Sequence, residues 1–99
     1  MYKIVLANGT ELNNLELNGN NFISNVAILD DVFVNNLETV TITNEDGSIV
    51  YSNMKLVQNQ IYGNESWFIL AEKTKVEIEK DDLYQLMADL TEVLLMGGV

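Results

Sequence analysis

The sequence contains no cysteine, no proline, no histidine and no arginine. Without cysteine there are no disulfides and no thiolate metal sites, and the redox compartment stays unspecified. Without histidine the commonest general base is missing, and with cysteine goes the most reactive nucleophile. The absence of proline suits a ladder-rich sheet, where each proline would remove a hydrogen-bond donor. Positive charge is scarce: five lysines face fifteen acidic residues, for a net charge of −10. Nucleic-acid affinity comes largely from Lys and Arg displacing counterions, so this balance excludes nucleic acid as a partner, and it disfavours anionic membranes. The opening "MYKIVLANG" lacks a basic region followed by an apolar run, so no signal peptide is expected. No apolar stretch approaches the roughly 18 residues that span a bilayer.

What is present fits one domain over residues 1–99, with 47% apolar residues, ordinary for a globular chain. Tyr2 to Leu6 alternates, which argues for a strand. Asn8-Gly9 follows as a two-residue hairpin signal, and Asn18-Gly19 is another turn signal. Between them Leu15 and Leu17 stand two apart, and Phe22-Ile23 begins the next strand. The stretch 25–37, "NVAILDDVFVNNL", reads as two short strands or one bulged strand interrupted at Asp30-Asp31. Thr39 to Thr43 is a strand, which Asp46-Gly47 turns into Ser48–Tyr51. Lys55 to Tyr62 and Trp67 to Ala71 complete the β-rich region, placed at 1–72.

Near residue 80 the period changes. Leu83, Leu86, Met87, Leu90, Val93 and Leu94 follow helical spacing with one apolar stripe. A C-terminal helix is expected over 81–96, with Asp81 or Asp82 capping its first turn. Thr74-x-x-Glu77 offers an earlier capping box, but Lys75 to Glu79 alternates as a strand would, so the start stays open. Gly97-Gly98 ends the helix. The fold class is therefore α+β, mainly β: an antiparallel sheet of six or seven strands, rolled or two-layered, with one C-terminal α-helix. The expected core is Tyr2, Ile4, Leu6, Leu15, Leu17, Phe22, Val40, Ile42, Val50, Leu56, Trp67, Ile69, Leu83, Leu86, Leu90 and Leu94.

Chemistry is sparse, and no cofactor, metal or small-molecule substrate is expected. Neighbouring carboxylates Asp30 and Asp31 on a strand would point to opposite faces. Asn14-x-Glu16-x-Asn18-Gly19 resembles the start of a calcium loop, but its twelfth position is Asn25 rather than glutamate. Tyr51, Tyr62 and Trp67 could stack on a carbohydrate. The last helical turn is apolar nearly all round, because Leu95 and Met96 fall outside the core stripe. Either the protein's own loops wrap this end, or it is a self-association or docking surface, since exposed apolar patches mark interfaces; in the second case Val93, Leu95, Met96 and Val99 are the candidate contact residues.

"MYKIVLANGTELNNLELNGNNFIS", "LETVTITNEDGSIVYSNMKLVQNQ", "WFILAEKT" and "DLTEVLLMGGV" together resemble a family of small acidic proteins encoded by phages and prophages of Gram-positive bacteria. The resemblance spans nearly the whole chain and is weakest at 25–36. It implies a product of the tail and baseplate region, mostly of unassigned function, and carries no catalytic motif. The resulting expectation is a non-enzymatic virion-associated structural or assembly protein, in the virion or in the host cytoplasm during assembly. Its partners would be further copies of itself or other phage structural proteins. The competing expectation is a small acidic inhibitor of a host defence protein that mimics nucleic acid.

Overall fold

The computed structural model describes residues 1–83. Seven strands form one antiparallel sheet: β1 (Tyr2–Val5), β2 (Glu11–Asn18), β3 (Asn21–Ser24), β4 (Thr39–Asn44), β5 (Gly47–Ser52), β6 (Met54–Tyr62) and β7 (Glu65–Glu72). Their spatial order is β5-β4-β1-β2-β3-β7-β6. A helix, α1, begins at residue 75 and continues to the last described residue, 83. This is the expected α+β class, mainly β.

The sheet is rolled, and its connectivity shows why. The two edge strands, β5 and β6, are consecutive in the chain and joined by Asn53 alone. Strands at opposite ends of the order therefore meet at one corner. There the Asn53 and Met54 N–H groups donate to the Glu38 and Leu37 carbonyls at 3.0 and 2.9 Å, and Lys73 N–H donates to the Asn53 carbonyl at 2.8 Å. Asn53 turns the corner with φ of 54°, a left-handed conformation that asparagine tolerates better than most side chains.

A bulge in β2 bends the sheet. Tyr2 pairs with Leu15 and Ile4 with Leu12, so two residues of β2, Asn13 and Asn14, face one of β1, Lys3. Asn14, at φ 55°, absorbs the extra residue. Leu12 and Leu15 consequently share the inner face despite their spacing of three, and both are buried. Beyond the bulge, β2 leaves β1 and pairs with β3 through Glu16, Leu17 and Asn18.

The inside of the roll holds a single core of Ile4, Leu6, Leu12, Leu15, Phe22, Ile28, Phe33, Leu37, Val40, Met54 and Phe68, with Tyr2, Ile42, Tyr51, Leu56 and Leu70 packed against it. Several expectations are corrected. Leu12 takes the place of Leu17, which is 44% exposed. Val50 is 62% exposed, because Ile49 and Tyr51, not Val50, face inward on β5. On β7 the residue fully inside is Phe68, so Trp67 and Ile69 lie on the outer face, half-buried. Leu83 is exposed at the end of the described helix, and Leu86, Leu90 and Leu94 lie outside the described residues.

The stretch 25–37 is not a strand. It crosses the inner face and contains one 3-10 turn, Asp30–Val32. Its buried residues, Ile28, Phe33 and Leu37, are spaced by five and four, whereas Val26, Leu29 and Val34 are exposed. Polar anchors hold it. The Ser66 hydroxyl accepts Ile28 N–H at 2.6 Å, and Asn59 Nδ2 donates to the Ile28 carbonyl at 2.7 Å. Asn36 ties its far end to the turn after β1.

That turn also differs from expectation. Leu6 N–H donates to Thr10 C=O and Gly9 N–H to Leu6 C=O, enclosing a three-residue loop. A two-residue Asn-Gly turn would need positive φ at both residues. Here Gly9 alone has it, at 91°.

The ambiguity at 74–79 resolves to helix. Thr74 N–H donates to Glu77 Oε1 and Glu77 N–H donates to Thr74 Oγ1, both at 3.2 Å, which completes a capping box. The helix thus starts six residues before the expected position 81, and Asp81 does not cap it. Asp81 instead pairs with Lys73 at 2.6 Å. Glu77 also accepts from Lys55 on β6 at 2.7 Å, so the cap fastens the helix start to the sheet. We expect Thr74→Ala to weaken this attachment by about 1 kcal/mol, read as a lower thermal midpoint with loss of far-ultraviolet helical signal.

The same geometry sets a pH dependence. The Lys55 ammonium, then the Thr74 N–H, holds the Glu77 carboxyl below its ordinary value. A carboxyl whose folded pKa is lowered stabilises the fold above the ordinary carboxylate range, and that contribution fades as pH falls through the lowered value. The Glu77 carboxyl carbon followed by NMR should therefore titrate below the ordinary carboxylate range, and Lys55→Gln should raise its midpoint.

Candidate interaction surface

The roll is closed at the Asn53 corner and open at the other end. Ile4 pairs with Ile42, and Ile42 with Ile49, so Ile49 shares the inner face with the core. It nevertheless remains 59% exposed, because β5 is the last strand and nothing described covers the end. Tyr2, Leu17, Phe22, Ile42, Ile49 and Tyr51 line a concave mouth of about 450 Å³. Tyr2 stands edge-on to Phe22 with ring centroids 5.6 Å apart, which fixes the floor of this mouth.

Along β5 the mouth meets a free strand edge. Gly47–Ser52 reads GSIVYS: branched and aromatic residues suited to a strand, and no charge. Among the described residues its only strand partner is β4. The other edge, β6, is different. It carries Lys55, and its register with β7 shifts between Leu56 and Gln58, a bulge that twists an edge away from ready pairing.

Three aromatic residues singled out from the sequence do not form one platform. Register places Gln60, Tyr62, Glu65 and Trp67 on one outer face at the tip of the β6–β7 hairpin. Tyr62 and Trp67 are edge-to-face at 6.1 Å. Their polar ends are spent inside the hairpin: the Tyr62 hydroxyl donates to Gln60, and Trp67 Nε1 donates to Glu65 at 3.5 Å. Tyr51 lines the mouth instead.

No family model, curated protein or solved structure matches this chain.

The carboxylates are dispersed. Glu45 and Asp46 sit in the β4–β5 turn, Glu65 at the start of β7, Asp30 and Asp31 in the 3-10 turn, and Glu77, Glu79, Asp81 and Asp82 on α1. Asp30 accepts from Asn59 Nδ2 at 2.8 Å. Four of the five lysines have carboxylate partners: Lys3–Glu11, Lys55–Glu77, Lys73–Asp81 and Lys75–Glu79. Among the described residues no three of Asp and Glu converge as a metal cage would need. Asn14, Glu16 and Asn18, read above as the start of a calcium loop, lie along a strand. No described helix is long and apolar enough to cross a membrane.

The contact residues expected from sequence, Val93, Leu95, Met96 and Val99, lie outside the described residues. The surface that sequence reasoning missed is the β5 edge with its mouth. Edge status depends on spatial strand order, which alternation alone does not reveal. The run from Gly47 to Met54 is charge-free, but longer charge-free runs at 17–29 and 56–64 keep it from standing out in the sequence.

Proposed function

We propose that this is a non-enzymatic structural or assembly protein that works through protein–protein contacts. The observation that carries the reading is the open mouth continuous with the uncharged β5 edge. Protein–protein sites have an apolar, charge-depleted centre within a polar surround, and dispersed carboxylates supply that surround here. The phage-family resemblance supports a narrower form: a virion-associated protein of the tail or baseplate region, in the particle or in the host cytoplasm during assembly. Its partners are then other copies of the chain or other phage structural proteins, with the C-terminal apolar residues as a second contact.

The alternative, an acidic inhibitor mimicking nucleic acid, needs a contiguous anionic band. Among the described residues the carboxylates are instead divided among β2, the 3-10 segment, the approach to β4, the β4–β5 turn, the two ends of β7 and α1, which favours the assembly reading.

Mass spectrometry of purified particles from a phage or induced prophage encoding the chain tests the proposal. Copies retained in the particle are expected, and their absence rejects the virion form. Deleting residues 93–99 should lower partner retention while leaving the sheet folded. Salt-sensitive capture of a host nucleic-acid-binding protein would instead favour the inhibitor.

A further inference from the structure

We infer that β5 pairs antiparallel with β5 of a second copy across a twofold axis centred on Val50. The inference rests on the assembly reading and names its first partner.

Shape selects the edge, and charge permits it. Two copies of a chain with net charge −10 repel, and like charges placed opposite one another across a ladder oppose pairing. Residues 47–52 carry no charge, so nothing along this edge opposes the approach of two acidic copies. The β6 edge is also uncharged from Leu56 to Tyr62, but its bulge between Leu56 and Gln58 twists it away from ready pairing. Pairing of β5 with β6 of another copy would also be head-to-tail and need not close, whereas β5 with β5 is self-complementary and closes as a dimer.

Parity selects the register. Side chains alternate faces along a strand, and a twofold axis perpendicular to the sheet keeps inner residues with inner ones. Centring on Val50 pairs Val50 with its own copy, Ser48 with Ser52, and Ile49 with Tyr51 twice. Val50 and Ser48 lie on the outer face, while Ile49 and Tyr51 lie on the inner one. The two Ile49–Tyr51 pairs bring the rims of both mouths together, so exposed apolar surface is covered as the ladder forms. The acidic turns stay apart: Asp46 and its copy are eight residues distant along the ladder, about 27 Å at strand rise, well beyond the screening length.

The test uses the full chain and needs no identified ligand. Light scattering should give twice the 11.1 kDa chain mass. Val50→Lys should give a monomer with unchanged circular dichroism, because Val50 is exposed in one copy and two lysines would meet at the axis. Val50→Thr should remain a dimer. The chain has no cysteine, so Val50→Cys adds its only thiol. Residues directly opposite in an antiparallel ladder are within disulfide reach. Val50→Cys should cross-link under mild oxidation, and Ser48→Cys, four residues from its own copy, should not. A monomeric parent chain, a Val50→Lys dimer, or equal cross-linking of both cysteine variants overturns the inference. A monomer that is still found in purified particles removes self-pairing and leaves the assembly reading standing.

Discussion

Phe68→Ala should remove a large share of the protein's stability, with an expected loss of about 3–5 kcal/mol. Phe68 is fully buried at the centre of the roll. Its ring stacks on Phe22 at 5.7 Å and tilts against Phe33 at 5.2 Å. Three parts of the chain thus converge on one side chain: β7, β3 and the 25–37 crossing. Truncation removes apolar burial and leaves a cavity that these elements cannot close without breaking their own ladders. A small domain has a total stability of roughly 5–15 kcal/mol, so the denaturation midpoint of the variant should fall steeply. Urea denaturation gives the midpoint directly. Trp67→Ala provides the contrast: on the outer, half-buried face it should cost clearly less. Equal losses at 67 and 68 would contradict the facing of β7.

Asn36→Ala should lose about 1–3 kcal/mol although it removes no large apolar group, because it leaves two part-buried backbone groups without their partner. Asn36 is nearly inaccessible. Its Oδ1 accepts Asn8 N–H at 2.8 Å, and its Nδ2 donates to the Val32 carbonyl at 2.9 Å. Its own carbonyl accepts Ala7 N–H at 3.1 Å. One amide therefore joins the β1–β2 turn to the end of the 25–37 crossing. Asn36→Asp keeps the acceptor but loses the donor and buries a charge, so it should be no milder at neutral pH. Hydrogen exchange locates the effect: the amides of Asn8 and Phe33 should lose protection before those of β7.

Turn positions were legible in the sequence because glycine and asparagine reach backbone conformations that other residues avoid. Gly19 and Gly63 both occupy positive φ in hairpin turns at expected places. Strand facing was legible only where the two faces differ in polarity. β4 alternates threonine with Val40 and Ile42, and its inner face was read correctly. "WFILA" is apolar on both faces, so its phase could not be chosen, and Phe68 was passed over for Trp67. In β2, the bulge at Asn14 changes the spacing of inner residues from two to three. A period-two reading then favours Leu17 over Leu12. The 25–37 segment follows neither period, because its contacts are set by Ser66, Asn59 and Asn36 rather than by a ladder. The helix start turned on the reciprocal bonds of Thr74 and Glu77, which outweighed the alternation of the next five residues. Of the candidate surface, the sequence showed an uncharged Gly47–Ser52 but not that, among the described residues, it is the edge of the sheet.

The single-residue corner at Asn53 also shapes how the chain folds. It places the β4–β5 and β6–β7 hairpins side by side in sequence, so both can form from local contacts on the microsecond timescale of hairpins. The loop-closure entropy then falls on two long-range pairings, β1 with β4 and β7 with β3, the second of which brings Phe68 against Phe22. Residues of those seams would govern the folding rate, whereas residues of the β5 edge would leave it unchanged. The roll would close as a clasp closes, at the point farthest from its hinge.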